Sequence, residues 1–203
     1  DNQENDYINI PSNKIHTFIV NALLTVGVDK EIAQLCATGL VQTSLRGVDT
    51  HGIRLLPHYI GGIEGGRING NPVFTFNKTS PSTGNFDADH TLGYSAGIIA
   101  MHHAIDLAKE SGAGFVSVKN SSHCGSLAYF GQIACKENMI GLAFTHATSR
   151  MKSPGSNREF FGTNPLCFTA PMESEEPFCF DSAPTQIPFH KIIHNRKKNS
   201  SLP

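Results

Sequence analysis

The chain of 203 residues has 39% hydrophobic residues, 16% charged residues and a formal net charge of -1, a composition typical of a folded chain. The near-neutral charge argues against nucleic acid as a partner, and no apolar run approaches the roughly 18 residues that span a membrane. We find no secretory signal, which needs a charged stretch followed by an apolar one.

Residues 1–70 predict an N-terminal helical subdomain. Apolar periodicity predicts one helix that begins near Ser12 and ends near Gly27, and a second from Asp29 to about Leu45. Because the joint between them is short, we expect the two helices to pack together. Residues 51–61 predict a third helix, although Pro57 is unfavourable inside a helix.

Residues 71–189 mix strands with helices and predict an α/β domain. The predicted strands are 73–76, one within 79–92, 115–118, 140–145, 166–169 and 178–180. The predicted helices are 93–111 and 126–136, and a long loop runs to about residue 161. The run 115–118 (FVSV) has the composition of a buried strand. The sequence therefore predicts a mixed α/β fold, in which a basic segment, 190–203, follows this domain.

The cysteines indicate the redox environment. There are five, an odd number, and no pair has C-x-x-C spacing, which argues against a disulfide framework or a zinc knuckle. Free thiols in a reducing compartment, the cytoplasm, are the simpler prediction. No H-E-x-x-H or comparable spacing occurs, so the sequence predicts no metal site.

Residues 46–54 (RGVDTHGIR) concentrate charged and titratable groups at a helix junction. His51 can exchange a proton near neutral pH, and Arg54 can hold a substrate carboxylate with two parallel hydrogen bonds. A structural alternative is equally open, in which Asp49 or Thr50 caps the third helix and the arginines are solvated.

Residues 120–126 (NSSHCGS) follow a predicted strand and precede a predicted helix, where α/β folds usually place ligands. His123 can act there as a general acid or base, or it is a helix cap or a structural turn residue. Cys124 beside it suggests a Cys-His nucleophile pair, but adjacent side chains rarely point at each other.

Two further segments, 161–166 (FGTNPL) and 180–183 (FDSA), each lie at one end of a predicted strand. Glycine and asparagine permit close approach of the backbone to a ligand, although ordinary turn chemistry is the simpler interpretation. The sequence contains no G-x-G-x-x-G after a strand, no G-x-x-x-x-G-K-[ST] and no G-x-S-x-G.

Five segments in order resemble the malate/L-lactate dehydrogenase family of the non-Rossmann type, which also includes ureidoglycolate, sulfolactate and diketogulonate oxidoreductases. The segments are 46–59 (RGVDTHGIRLLPHY), 93–97 (GYSAG), 121–130 (SSHCGSLAYF), 161–171 (FGTNPLCFTAP) and 178–186 (FCFDSAPTQ). Their combination is highly specific for this family. The resemblance implies a non-Rossmann mixed-sheet domain for the dinucleotide, which accounts for the missing G-x-G-x-x-G.

The resemblance implies hydride transfer, dependent on NAD or NADP, between a small 2-hydroxy acid (malate or lactate-like) and its 2-oxo acid. His123 matches the acid/base of the family, and His51 matches a residue of the same pocket with a role in proton transfer. Arg54 and Tyr59 match positions that contact the substrate. The implied assembly is a homodimer formed through the helical part.

The resemblance also implies a cofactor site in the second half of the chain. Its residues are His146, Thr163, Asn164, Asp181, Ser182 and Ala183. The Pro-hydrophobic-Gly-Gly piece common in the family is replaced here by Ser-Pro-Gly-Ser at 153–156.

The match covers about the first three-fifths of a family member, which implies that the cofactor domain is truncated here. The chain would then be a fragment or a natural short form, and we expect the full gene product to be active and this piece alone to be poorly active. The alternative from another class is a catalytically inactive family member that acts as a binding or dimerisation partner.

Overall fold

The computed structural model describes residues 8–173 and 175–185, which divide into two compact units. The first unit contains residues up to 75 together with 87–96 and 118–125, and the second contains 76–86, 97–117 and the residues from 126 onward. The domain boundaries predicted at residues 70 and 189 stay predictions, and the basic segment 190–203 lies outside the described residues.

Two packed helices open the first unit, as the sequence predicts. Helix α1 spans Ser12–Thr25 and helix α2 spans Lys30–Leu45. Gly27 between them has a φ of 81°, a left-handed conformation that favours glycine after a helix. The carboxylate of Asp29 caps α2, because it accepts hydrogen bonds of 2.8 and 3.3 Å from two backbone N–H groups of the first turn.

The third predicted helix has two parts. A short 3-10 helix spans Ile53–Leu55, and helix α3 spans Leu56–Glu64. Pro57 lies in the first turn of α3, where a backbone N–H has no acceptor within the helix, so its absence in proline costs no hydrogen bond. Pro57 therefore helps to start this helix, whereas the sequence pattern treats it as unfavourable.

The first sheet has three strands in the order β1-β2-β3. Strand β1 spans Thr75–Ser80, β2 spans Thr83–Thr91 and β3 spans Phe115–Ser121, while helix α4, Gly93–Ser111, connects β2 to β3. The prediction of α4 is confirmed, but the prediction of a buried strand at 115–118 is wrong. Phe115 is 61% exposed, because side-chain burial depends on what covers the face of a strand, and the described chain leaves the face that carries Phe115 uncovered.

The second unit carries an antiparallel sheet in the order β4-β7-β8, on which helix α5 packs. These elements are α5 (Ala128–Lys136), β4 (Gly141–Phe144), β7 (Leu166–Ala170) and β8 (Phe178–Ser182). A small hairpin of β5 (Met151–Lys152) and β6 (Glu159–Phe161) lies where the sequence predicts a loop. The mixed α/β fold is confirmed, and its antiparallel pairing differs from the parallel sheet of a Rossmann domain.

Helix α5 covers one face of this sheet. A methyl group at Gly131 of α5 would lie 2.5 Å from the side chain of Thr169, so helix and strand approach closely. Alternation along the strands places the large apolar side chains on the opposite face. The cross-strand register on that face joins Leu142, Phe168 and Phe180 in one row. Among the described helices, none is long and apolar enough to cross a membrane.

The face of the sheet opposite α5 is exposed and apolar. Phe144 is 69% exposed and Phe180 is 49% exposed, and the ring of Phe168 lies 6.1 Å from that of Phe178. A contiguous apolar surface of this kind is uncommon on a soluble monomer, where exposed apolar residues are usually scattered.

We expect Phe144→Lys to lower the binding of the dye ANS by the chain, because a charge interrupts the apolar face. The measurement is ANS fluorescence at equal protein concentration, with sedimentation to follow association. Val73→Lys is the matched control, because Val73 is 79% exposed but lies in the first unit. Equal loss of dye binding in the two variants would show that the dye does not bind the apolar face of the second unit's sheet.

Candidate active site

All four residues that the sequence assigns to catalysis or substrate binding belong to the first unit, and three of them lie together. The imidazole rings of His51 and His123 are stacked, with centroids 5.9 Å apart and an interplanar angle of 23°. The hydroxyl of Tyr59 lies 3.2 Å from Nδ1 of His123 and 3.1 Å from its backbone carbonyl oxygen. Arg54 lies in the 3-10 helix, is exposed, and forms no ion pair with any described residue, so its guanidinium is available to an anion.

The first turn of α4 positions the segment that carries His123. The backbone N–H of Gly93 donates to the hydroxyl of Ser122 at 3.0 Å. A Cβ at Gly93 would lie 2.4 Å from the backbone carbonyl oxygen of His123, so only glycine permits this approach. The prediction that His123 follows a strand and precedes a helix is confirmed, since it lies between β3 and α5.

Helix α2 positions the segment that carries His51. The backbone N–H of Ile53 donates to the hydroxyl of Ser44 at 3.0 Å, and a Cβ at Gly52 would lie 2.0 Å from the same oxygen. The cap on the third helix that the structural alternative gave to Asp49 or Thr50 is not present, since neither part of this helix has a side-chain cap. The hydroxyl of Thr50 lies 2.9 Å from Nδ1 of His51 instead.

The hydrogen bonds of Tyr59 select one form of the His123 ring. A phenol has one proton, and donation to Nδ1 would leave two lone-pair oxygens facing each other. The hydroxyl therefore donates to the carbonyl oxygen and accepts from Nδ1–H, so Nδ1 carries the proton of the neutral ring. Burial, followed by the neighbouring Cys36, Tyr94 and Cys124, raises the pKa of Tyr59 well above its usual value, so the phenol stays protonated.

Tyr59 is fully buried, so its observed role is to hold His123. Its predicted contact with the substrate stays a prediction. The sequence motif identified the residue but not the partner of its hydroxyl, because a partner 64 residues away in the chain leaves no local pattern.

Two residues near this cluster escaped the sequence analysis. The ring of His58 lies 6.1 Å from that of His123 and nearly perpendicular to it. Tyr94 is fully buried, and its hydroxyl donates to the backbone carbonyl oxygen of His51 at 2.8 Å. The sequence did offer one signal for Tyr94. A tyrosine at the start of a buried helix needs a hydrogen-bond partner for its phenol, which indicates a polar contact in the core.

The residues predicted to bind the cofactor belong to the second unit and gather at one end of its sheet. The register pairs Leu166 with Ser182 and with Phe144, so the segments that flank these residues emerge at the same end of the sheet. Asn164 connects two of the segments, because its Oδ1 accepts a hydrogen bond of 3.0 Å from the backbone N–H of Ala147. Thr163, His146 and Ala183 lie in these same segments.

Asp181 has a structural partner at this end of the sheet. Its Oδ2 accepts hydrogen bonds from the hydroxyl of Ser126 at 2.9 Å and from the backbone N–H of Ala128 at 2.8 Å. The carboxylate thus caps the N-terminus of α5 from a neighbouring strand, where the helix dipole favours a negative charge. Its predicted contact with the cofactor stays a prediction.

The donor set at this end of the sheet fits a dinucleotide. It comprises the hydroxyl groups of Thr163 and Ser182, the amide of Asn164 and the exposed imidazole of His146. These are hydrogen-bonding groups that suit ribose and phosphate oxygens. The described residues contain no group of three or more histidine, cysteine or acidic side chains that could hold a metal ion.

Comparison with known proteins agrees with the five segments. The profile of the family described as malate/L-lactate dehydrogenase matches residues 10–203. Malate dehydrogenase from Pyrococcus horikoshii is 34% identical over 98% of this chain and 55% of its own length. The ureidoglycolate dehydrogenase (NAD(+)) of Escherichia coli O157:H7 is 32% identical over 93% of this chain and 54% of its own length.

Among solved structures, malate dehydrogenase from Entamoeba histolytica superimposes with a TM-score of 0.90 at 32% identity. The superposition covers 97% of this chain and 55% of that structure. The chain thus spans little more than half the length of the relatives that it matches.

We expect Arg67→Met to raise the pKa of His58. Burial lowers the pKa of His58 first, and the charge of Arg67 lowers it further, so removal of that charge favours the imidazolium. The measurement is an NMR titration of the histidine ring protons. His103 is the internal control, because burial lowers its pKa and the charged neighbours that act on it, Asp106 and His102, lie on its own helix α4. An unchanged His58 titration would refute the influence of Arg67.

Proposed function

The chain belongs to the malate/L-lactate dehydrogenase family, and on this premise we propose that the protein interconverts a small 2-hydroxy acid and its 2-oxo acid. The substrate we propose is malate or a lactate-like acid, and the cofactor is NAD or NADP. The observation that carries the proposal is His123, held by Tyr59 beside the stacked ring of His51. We also propose a cytoplasmic homodimer, and the odd number of cysteines without C-x-x-C spacing is the ground for the reducing compartment.

Arg54 would bind the carboxylate of the substrate. Its guanidinium can form two parallel hydrogen bonds with a carboxylate, which fixes the orientation of the acid as well as its position. Its exposure and its lack of an ion pair within the described chain support this role.

His123 would transfer the proton through Nε2. In the direction of reduction, its imidazolium donates a proton to the carbonyl oxygen of the 2-oxo acid, and in oxidation the neutral ring accepts it back. Tyr59 accepts from Nδ1–H in both protonation states, so the ring keeps its orientation through the transfer. His51 would donate a hydrogen bond to the same substrate oxygen and polarise it.

The residues at the end of the second sheet would hold the cofactor, which supplies or accepts the hydride when bound. Thr163 and Ser182 would donate to its ribose or phosphate oxygens, and the amide of Asn164 would do so through its NH₂ group. Asp181 would keep α5 in place against this segment through its bonds to Ser126 and Ala128.

We expect His123→Asn to lower kcat by about 100-fold or more, because the loss of a general acid or base typically costs that much. The measurement is oxidation of NADH and NADPH with oxaloacetate, pyruvate, 2-oxoglutarate and sulfopyruvate, by this chain and by a completed one. His102→Asn is the control, because His102 is exposed on α4 in the second unit. Turnover by the completed chain that survives His123→Asn would refute the proposed role, and no turnover by the completed chain would favour a non-catalytic binding protein.

We expect Arg54→Lys to weaken binding of the 2-oxo acid by about tenfold, because lysine cannot form the paired hydrogen bonds of a guanidinium. The measurement is calorimetric titration with oxaloacetate or pyruvate, which needs no turnover. Arg46→Lys is the matched control, since Arg46 is also exposed but ends α2. Equal affinities of the two variants would show that Arg54 does not bind the carboxylate.

A further inference from the structure

We propose that Tyr94 is a positioning residue that holds His51 in register with His123, an inference whose catalytic meaning rests on the proposed function. Its hydroxyl donates to the backbone carbonyl oxygen of His51 at 2.8 Å. Tyr59 makes the corresponding bond to the carbonyl oxygen of His123 at 3.1 Å. The backbones of both histidines are therefore held by buried tyrosines, and the rings of these tyrosines contact each other at 6.5 Å and 88°.

The hydroxyl of Tyr94 has a second buried partner that fixes its direction. The hydroxyl of Thr43, on α2, lies 2.8 Å from it, and Thr43 is 1% exposed. Because the single proton of Tyr94 goes to the carbonyl oxygen of His51, Thr43 must donate to the phenol oxygen. The bonds thus form a directed chain from Thr43 through Tyr94 to His51, in which each bond polarises the next.

The ring of Tyr94 is confined on two sides by glycines. A Cβ at Gly39 of α2 would lie 2.3 Å from the ring, and a Cβ at Gly125 would lie 2.2 Å from its hydroxyl end. Gly125 comes two residues after His123 and has a φ of 68°, so the loop that carries His123 turns directly over Tyr94. One side chain therefore limits the movement of both histidine segments, through its hydroxyl and through its ring.

A residue that only filled space in the core would not need the hydroxyl of Tyr94. Phenylalanine fills nearly the same space without burying a hydroxyl, and a buried hydroxyl is costly unless it is bonded. Here a chain of two buried hydroxyls ends on one carbonyl oxygen, and that oxygen belongs to a histidine of the candidate site. Buried polar chains of this kind specify one geometry rather than add bulk stability.

The test compares Tyr94→Phe with Tyr129→Phe in the 203-residue chain. The control residue Tyr129 is buried on α5 in the second unit, and its hydroxyl bonds to no described residue. With ¹⁵N-labelled histidine, we expect Tyr94→Phe to shift the ring signals of His51 and to weaken the through-space contact between the rings of His51 and His123. Tyr129→Phe should leave both unchanged. In an active chain, kcat should fall by about tenfold while KM changes less than about twofold.

If the ring signals of His51 in Tyr94→Phe are the same as those in Tyr129→Phe, the inference is overturned, whatever the turnover. Because the spectra need no catalysis, a completed chain without turnover but with the expected shifts would refute the proposed function and still support the positioning of His51. If Tyr94→Phe does not fold, Thr43→Val serves instead, because it removes only the donor to the phenol. We expect a smaller shift of His51 in that variant, and no shift at all would overturn the inference.

Discussion

The candidate site depends on one constraint, which is that two buried phenol groups must find hydrogen-bond acceptors. Tyr59 and Tyr94 have no access to water, and the acceptors that they reach are the backbone carbonyl oxygens of His123 and His51. Three parts of the chain must meet to satisfy these bonds, namely residues 51–59, the first turn of α4 and the segment that carries His123. The hydrogen bonds that the buried phenols need therefore also fix the spacing of the two imidazoles.

The same constraint separates the parts that stay fixed from the parts that meet a ligand. The phenols, the glycines against them and the hydroxyl of Ser44 are interior and serve the backbone. His58, Arg54 and the outer edges of the imidazoles lie at the surface, where a small acid can reach them. In the second unit the exposed Asp181 has a structural role of the same kind, because it caps helix α5 from a strand, while the N-cap residue Leu127 provides no side-chain cap.

The sequence predicted the parts whose signals are local. Helices α1, α2 and α4 follow from apolar periodicity, and His51, Arg54 and His123 stood out through their motifs. It failed where the deciding neighbour is distant. The burial of β3 depends on which elements cover its faces, and the partner of Tyr94 lies 43 residues away. His58 was passed over because a lone histidine has no pattern, and only the fold brings its ring against His123.

Gly39 and Tyr94 also constrain how this sequence can change over time. A methyl group at residue 39 and a phenol ring at residue 94 exclude each other, so alanine can enter at 39 only in a background where residue 94 is already smaller. Once alanine is present, the ring cannot return until the glycine does. The order of substitutions is thus fixed, with the smaller residue at 94 first and alanine at 39 second. After both substitutions, no single change restores the tyrosine at residue 94.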